Sequence, residues 1–210
     1  MRIQALGDAA ILLRDLDCPA HLLAAAIEEA QLPGVLEAVA SYESVGVYFD
    51  PSLFDERQLT TIQVNRSTGQ GHLHEIPVCY DLGEDLLEIS RHLGLKPVEV
   101  IELHSKPTYQ CFAVGFCPGF PYLGYLPTEL SGVSRRPAPR VRVEPGSVAI
   151  TGRQTGIYPL QRPGGWSIIG RTPLCLVDVE GAYFPIRAGD SVRFRPISES
   201  EYLSRRGERL

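Results

Sequence analysis

The stretch Gly146-Ser147-Val148-Ala149-Ile150-Thr151-Gly152-Arg153-Gln154-Thr155-Gly156-Ile157-Tyr158-Pro159 decides what kind of fold this chain adopts. It reads as a short apolar strand at 148–151, broken by Gly152 and again by Gly156. A phosphate-cradling loop needs a lysine and a following helix. Here the lysine is absent and no helical periodicity follows. Gly152 and Gly156 instead flank a cation, an amide and a hydroxyl: Arg153, Gln154 and Thr155. That set can hold a carboxylate or a carbonyl through directed hydrogen bonds.

The same punctuation runs outward. Residues 107–196 hold 12 of the 20 glycines and 12 of the 17 prolines. Between these breaks lie short strands at 110–115, 148–151, 166–170, 174–179 and 191–195, a pattern of an all-β barrel or sandwich. Residues 131–146 are too proline-broken for a regular strand and read as a loop over the barrel surface. Charge divides at the same place: residues 107–196 carry ten Arg against five acids, net +5, while the remainder is net −10.

Upstream the periodicity changes. Strands at 2–6 and 9–13 surround Gly7-Asp8; apolar residues at 22, 23, 26, 27 and 30 give one face of a helix at 21–31, stopped by Pro33-Gly34. A strand pair follows at 35–40 and 45–49, then a weaker helix at 55–64, a polar loop at 65–71 and a strand at 73–80. The order β-α-β-β-α-β predicts a ferredoxin-like split unit. Two short helices, 84–93 and 97–104, lead into the barrel. The expected class is α+β: a ferredoxin-like α/β domain over 1–80 and a β-barrel domain over 81–210.

Several classes are disfavoured. No run approaches the ~20 apolar residues of a membrane span, and residues 9–13 are too short for a signal-peptide core. Five cysteines without a close pair argue against a disulfide framework or a zinc ribbon and favour a reducing cytoplasm. The acidic balance, with no Lys/Arg block, leaves no nucleic-acid footprint. Residues 107–196 contain no histidine and no lysine, but 11 of the 17 aromatics. Such a surface binds and orients; it has few groups that transfer protons.

Two further stretches carry candidate function. In Gly115-Phe116-Cys117-Pro118-Gly119-Phe120-Pro121-Tyr122-Leu123-Gly124-Tyr125, aromatics alternate with Gly and Pro. The result is a stiff loop for a planar small molecule or a protein partner, or else a packed barrel corner. Pro163-Gly164-Gly165-Trp166-Ser167-Ile168-Ile169-Gly170-Arg171-Thr172-Pro173 holds the only tryptophan, a core anchor or a pocket wall. Cys117 reads as a small buried thiol more readily than as a nucleophile, for want of a local histidine. His104 is the best-placed proton carrier if it folds over the loops, and a satisfied core histidine if it does not. His72 and His74 share a strand face without a third ligand nearby, so no metal site is expected.

These three stretches, in this order and spacing, resemble the allophanate hydrolase subunit 1 / KipI family, whose bacterial members include one component of an ATP-dependent 5-oxoprolinase. The likeness extends to Gly7-Asp8-Ala9-Ala10, Ile76-Pro77-Val78-Cys79-Tyr80, Leu103-His104-Ser105 and Gly189-Asp190-Ser191-Val192-Arg193-Phe194. It departs at Val143-Glu144-Pro145-Gly146-Ser147 and in the extra charge of Ser134-Arg135-Arg136-Pro137-Ala138-Pro139-Arg140. The resemblance implies a cyclophilin-like, carboxyltransferase-like barrel, an allophanate hydrolase subunit 2 / KipA-like partner and a third, LamB/YcsF-like subunit. It also implies hydrolysis of 5-oxo-L-proline to L-glutamate by a complex in which this subunit is inactive alone and ATP is bound mainly by a partner. Two alternatives stay open: an inhibitor of a sensor histidine kinase, and a subunit of a urea or allophanate carboxyltransferase-hydrolase system. Peptidyl-prolyl isomerase activity follows from the barrel by analogy only. Gln154 and His104 are the expected catalytic groups. Arg140 or Arg153 is expected on a substrate carboxylate, with Thr155 as hydrogen-bonding group and Phe120, Tyr122, Tyr158 and Trp166 as walls.

Overall fold

The computed structural model describes residues 1–64 and 71–210; all but Gly71 of the loop expected at 65–71 lies outside them. The chain divides into two compact units, Met1–Gly71 and His72–Leu210.

The first unit is built from β1 (Arg2–Ala5), β2 (Ala10–Arg14), α1 (Ala20–Ala30), β3 (Val35–Ser41) and β4 (Ser44–Phe49), in sheet order β1-β2-β4-β3. Every neighbouring pair is antiparallel, so β2 and β3 run parallel with β4 between them and α1 joins them: a split β-α-β unit. The sequence dictates the faces. Val45 and Val47 alternate into the core, and Leu23, Ala24 and Ile27 form the buried stripe of α1. The helix expected at 55–64 is a short 3₁₀ turn, Glu56–Thr61. Its Thr60 and Thr61 hydroxyls donate to the carbonyls of Arg57 and Gln58, three residues back, which matches the tighter turn.

The strand expected to complete this sheet does not. β5 (Leu73–Val78) belongs to the second unit, and the edge it would have filled is occupied by β1. The reason is burial. Ile76 to Tyr80 are buried without alternation, as in a parallel strand covered on both faces, and β5 pairs in parallel with the last strand of the barrel.

After β5 come α2 (Leu86–Leu93), α3 (Pro97–Ser105), β6 (Thr108–Val114), β7 (Pro121–Gly124), β8 (Arg140–Val143) and β9 (Ser147–Thr151). Then follow β10 (Gln154–Ile157), β11 (Arg162–Gly164), β12 (Ser167–Arg171), β13 (Ser191–Pro196) and α4 (Glu199–Ser204). Seven strands form one sheet in the order β12-β9-β10-β7-β6-β13-β5. Its two ends meet where Cys79 and Arg171 exchange backbone hydrogen bonds of 2.9 and 3.0 Å, so the sheet is a nearly closed barrel. The α+β class, a split α/β unit ahead of a barrel, therefore holds.

The barrel differs from expectation in three places. β7 and β10 lie inside the aromatic and Gly152–Gly156 stretches, where the breakers suggested loops. Residues 140–143 form a strand after all, paired with β11 in a two-stranded ribbon. Residues 174–179 form only isolated bridges, Cys175 with Arg209 and Asp178 with Tyr183, because a turn at Asp178, whose carboxylate accepts from the Gly181 amide at 2.9 Å, folds the chain back at once. No helix among the described residues is long and apolar enough to cross a membrane.

Candidate functional site

The wall of the barrel has two faces, and the register of β10 assigns residues to each. Thr155 and Ile157 point inward; Ile157 joins Val148, Ile150 and Ile169 in the main core. The alternate residue Gly156 points outward, in register with Ala149 of β9 and Tyr122 of β7; Ala149 also pairs with Ile168 of β12. On this outer surface a second, smaller core forms from Cys117, Phe120, Val143, Ala149, Tyr158, Trp166 and Ile168. Gly156 permits it: a Cβ there would stand 2.9 Å from the Phe120 ring and 2.9 Å from the Pro121 carbonyl oxygen. Glycine in the middle of this strand lets an aromatic ring lie directly on the sheet.

The aromatic residues of the two flanking stretches meet edge to face over that surface. Phe120 packs against Tyr122 (ring centroids 5.0 Å apart), Tyr158 (5.1 Å) and Trp166 (5.5 Å), at interplanar angles of 63°, 78° and 88°. With Phe116, Arg135, Arg136, Pro139, Gly164 and Gly165 they line a pocket of about 190 Å³. Phe116 stands at its lip, 58% exposed and with φ 67°, the left-handed region that non-glycine residues seldom adopt. Burial raises the hydroxyls of Tyr122 and Tyr158 above their ordinary range, and the Arg135 charge works the other way without reversing it. Both phenols are neutral near pH 7. Burial likewise raises the Cys117 thiol, with Arg162 opposing, so this sulfur is protonated and part of the apolar floor. The pocket offers aromatic faces, neutral hydroxyls and cations, with no imidazole, amine or carboxylate in its lining.

Of the residues expected at a site, Phe120, Tyr122, Tyr158 and Trp166 are brought together here. Gln154 shares the outer face two residues from Gly156, about 7 Å along the strand. Arg153 is exposed on the β9–β10 turn, its guanidinium 4.3 Å from the centre of the Tyr125 ring, and does not line the pocket. Arg140 is engaged by the chain's own acids: it donates to Asp85 at 2.6 Å and stands 3.3 Å from Glu84. Burial opposes its charge, but the hydrogen bonds and charges of Asp85 and Glu84 outweigh this and raise its pKa above the ordinary value.

His104 and Thr155 lie on the other face, inside the barrel, both fully buried. The Thr155 hydroxyl donates to the Ala149 carbonyl at 3.1 Å, so at 2.9 Å it accepts from His104 Nε2, which fixes the proton on that nitrogen. His104 Nδ1 then accepts from the Tyr80 hydroxyl at 2.7 Å. The ring stacks on Phe194 with centroids 4.5 Å apart, and desolvation lowers its pKa to about 3. His104 is a neutral tie between α3, β10 and the turn at Tyr80, and it is not part of the pocket's lining. His74, on β5, bonds through Nε2 to Asp190 at 2.9 Å, and no group of His, Cys, Asp or Glu among the described residues is arranged to hold a metal ion.

Arg135, the exposed cation of the pocket, was missed, as was Asp85. The signal for Arg135 was present in the proline-fixed run at 134–140, where three arginines stand in a loop too stiff to be a solvated tail.

Residues 1–184 match the family described as carboxyltransferase domain, subdomain C and D. A 5-oxoprolinase subunit of Bacillus subtilis (strain 168) is 36% identical over 96% of this chain and 95% of its own length. The corresponding 5-oxoprolinase subunit of Escherichia coli O157:H7 is 50% identical over 60% of this chain and 58% of its own. Among solved structures, TTHA0988 superposes with a TM-score of 0.82 at 38% identity; the match covers 90% of this chain, which spans only 40% of that longer one. The Kluyveromyces lactis urea amidolyase, with a TM-score of 0.67 at 18% identity over 96% of this chain and 15% of its own, shares the fold. The chain belongs to the carboxyltransferase-domain family of subdomains C and D and is similar to these bacterial 5-oxoprolinase subunits.

Proposed function

We propose that the chain is one subunit of a 5-oxoprolinase, the complex that opens the lactam of 5-oxo-L-proline to L-glutamate with ATP hydrolysis. The observation that carries this is the outer-face pocket: a small aromatic slot with an exposed cation at its rim. Its volume of about 190 Å³ lies below the ~300–1,000 Å³ of pockets for drug-sized ligands, which suits one five-membered ring. In this reading Arg135 takes the substrate carboxylate, the part sequence reasoning gave to Arg140 or Arg153. Phe120 and Trp166 flank the ring, and the Tyr122 hydroxyl donates to an oxygen of the lactam. Gln154, on the same face, remains the amide group proposed to join the site in the assembled complex.

A nucleotide does not fit this slot, so ATP is assigned to a partner and no step is routed through it here. The proposed partners are a KipA-like subunit and a LamB/YcsF-like subunit. A lining without histidine, lysine or carboxylate supports this division: this chain binds and orients the acid, and the groups that move most of the protons come from elsewhere.

The test is reconstitution. The chain combined with both partners should release ADP in response to 5-oxoproline, and the chain alone should not. Arg135→Ala should raise KM for 5-oxoproline about tenfold or more, as expected for a lost charge-assisted hydrogen bond of ~1.5–3 kcal/mol, with the melting temperature unchanged. Absence of 5-oxoproline-dependent ADP release by the full set would sink the proposal.

A further inference from the structure

Asp85 is a buried, heavily engaged carboxylate of the barrel unit. Its side chain is 4% exposed, and three hydrogen bonds end on it. Oδ1 accepts from Arg136 at 3.1 Å and from Arg140 at 2.6 Å; Oδ2 accepts from the backbone amide of Ile168 at 2.7 Å. Its own amide donates to the Ile168 carbonyl at 2.8 Å. Two separate pieces of chain therefore converge on one residue: the 135–140 loop and the start of β12.

Both pieces line the pocket. Arg135, Arg136 and Pro139 line it from the loop; Gly164, Gly165 and Trp166 line it from the segment entering β12. A backbone bond of 2.8 Å from the Arg136 amide to the Gly165 carbonyl also ties the loop to that segment. The remaining acids near the arginines are weaker partners: Glu84 is half exposed, and Glu88 is 73% exposed and 3.8 Å from Arg136. Among the described residues, Arg136 Nε and Arg140 Nη1 are buried without a hydrogen-bond partner, so nothing else there fastens those edges of the two guanidinium groups.

We infer that Asp85 is a positioning residue: through Arg136 and Arg140 it holds the 135–140 loop against the segment entering β12, and with it the placement of Arg135 against a bound acid. It touches no substrate. A buried carboxylate shared by two guanidinium groups holds them at fixed angles, which a neutral amide does not. The inference extends the proposed function, since the placement of Arg135 matters only if the pocket takes an anion, but the packing of the loop on the Trp166 segment can be read without that assumption.

The readout is Trp166, the only tryptophan of the chain and part of one wall. In the full-length chain, Asp85→Asn should increase iodide quenching of Trp166 fluorescence about twofold, and Asp85→Glu should recover part of the difference. Arg136→Gln, which cuts the clamp from the loop side and leaves the bond to Ile168 in place, should give the same increase and serves if Asp85→Asn fails to fold. In the reconstituted complex, Asp85→Asn should raise KM for 5-oxoproline about tenfold with kcat within twofold. Quenching unchanged from wild type in a folded Asp85→Asn or Arg136→Gln chain overturns the inference. So does a loss of kcat with KM unchanged. If the wild-type complex does not turn over 5-oxoproline, the proposed function falls, while the quenching series still decides the clamp.

Discussion

The two faces of β10 carry the same alternation of residues and opposite kinds of chemistry. Inward, Thr155 meets His104 in a chain of hydrogen bonds that runs from the Tyr80 hydroxyl to the Ala149 carbonyl and leaves neither ring nitrogen unused. Outward, Gly156 carries no side chain, and the vacant space is taken by Phe120 and the pocket beside it. The face with the titratable group is sealed and neutral; the open face has aromatic surface and arginine. One strand thus separates a hydrogen-bonded core from an open aromatic pocket.

Substitutions on each face test that separation. Phe120→Ala should have the largest effect, about 3–5 kcal/mol of stability measured by urea unfolding, because the ring is 2% exposed and packs against four other aromatics. It should also abolish ligand binding, since floor and core are the same residue. His104→Ala should cost about 2–4 kcal/mol by leaving a cavity and the Tyr80 and Thr155 hydroxyls without their partner. Activity per folded molecule in the reconstituted complex should be kept. A folded His104→Ala complex with activity reduced a hundredfold would break the comparison and return His104 to the chemistry.

Acid should reveal the same histidine. Its pKa is about 3 folded and near 6.5 unfolded, so between those values the unfolded chain binds the extra proton. Stability is therefore fully present above pH 6.5 and falls as pH drops towards 3, by at most ~1.4 kcal/mol per pH unit. Between pH 6.5 and 5 that slope should be shallower in His104→Asn than in wild type, measured by urea midpoints. The smallest effect belongs to Arg153→Ala, which removes an exposed cation–π contact with Tyr125 worth about 0.5–1 kcal/mol and should leave substrate KM unchanged. A tenfold rise in KM would place Arg153 at the site after all.

The sequence made some of this visible and hid the rest for identifiable reasons. Gly/Pro punctuation marked the barrel, and alternating aromatics marked the pocket walls, because both are local patterns. β7 and β10 were concealed by the very glycines and prolines that let Phe120 lie on the sheet. β5 was assigned to the wrong sheet because its partner β13 is distant in the chain; the ion pair between Glu75 and Arg193 joins residues 118 apart. The pairing of Arg140 with Asp85 is not legible in the sequence, because the two stand 55 residues apart. Charge at one position does not disclose which buried acid will answer it.

The seam that closes the barrel has a dynamic consequence. Other neighbouring strands of the sheet pair over several residues, but Cys79 and Arg171 meet in a single bridge, and Gly170 lets them do so: a Cβ there would press to 2.6 Å from Val78 Cγ1. This junction has two ladder bonds, backed by the two bonds between Asp85 and Ile168, and local opening begins where few ladder bonds must break together. Amide exchange at the seam then proceeds through a small fluctuation, while exchange in β9, paired on both sides, requires a larger cooperative one. The same barrel is thus a ring with a clasp, and the clasp lies one residue from β5, the strand that leads the chain into it.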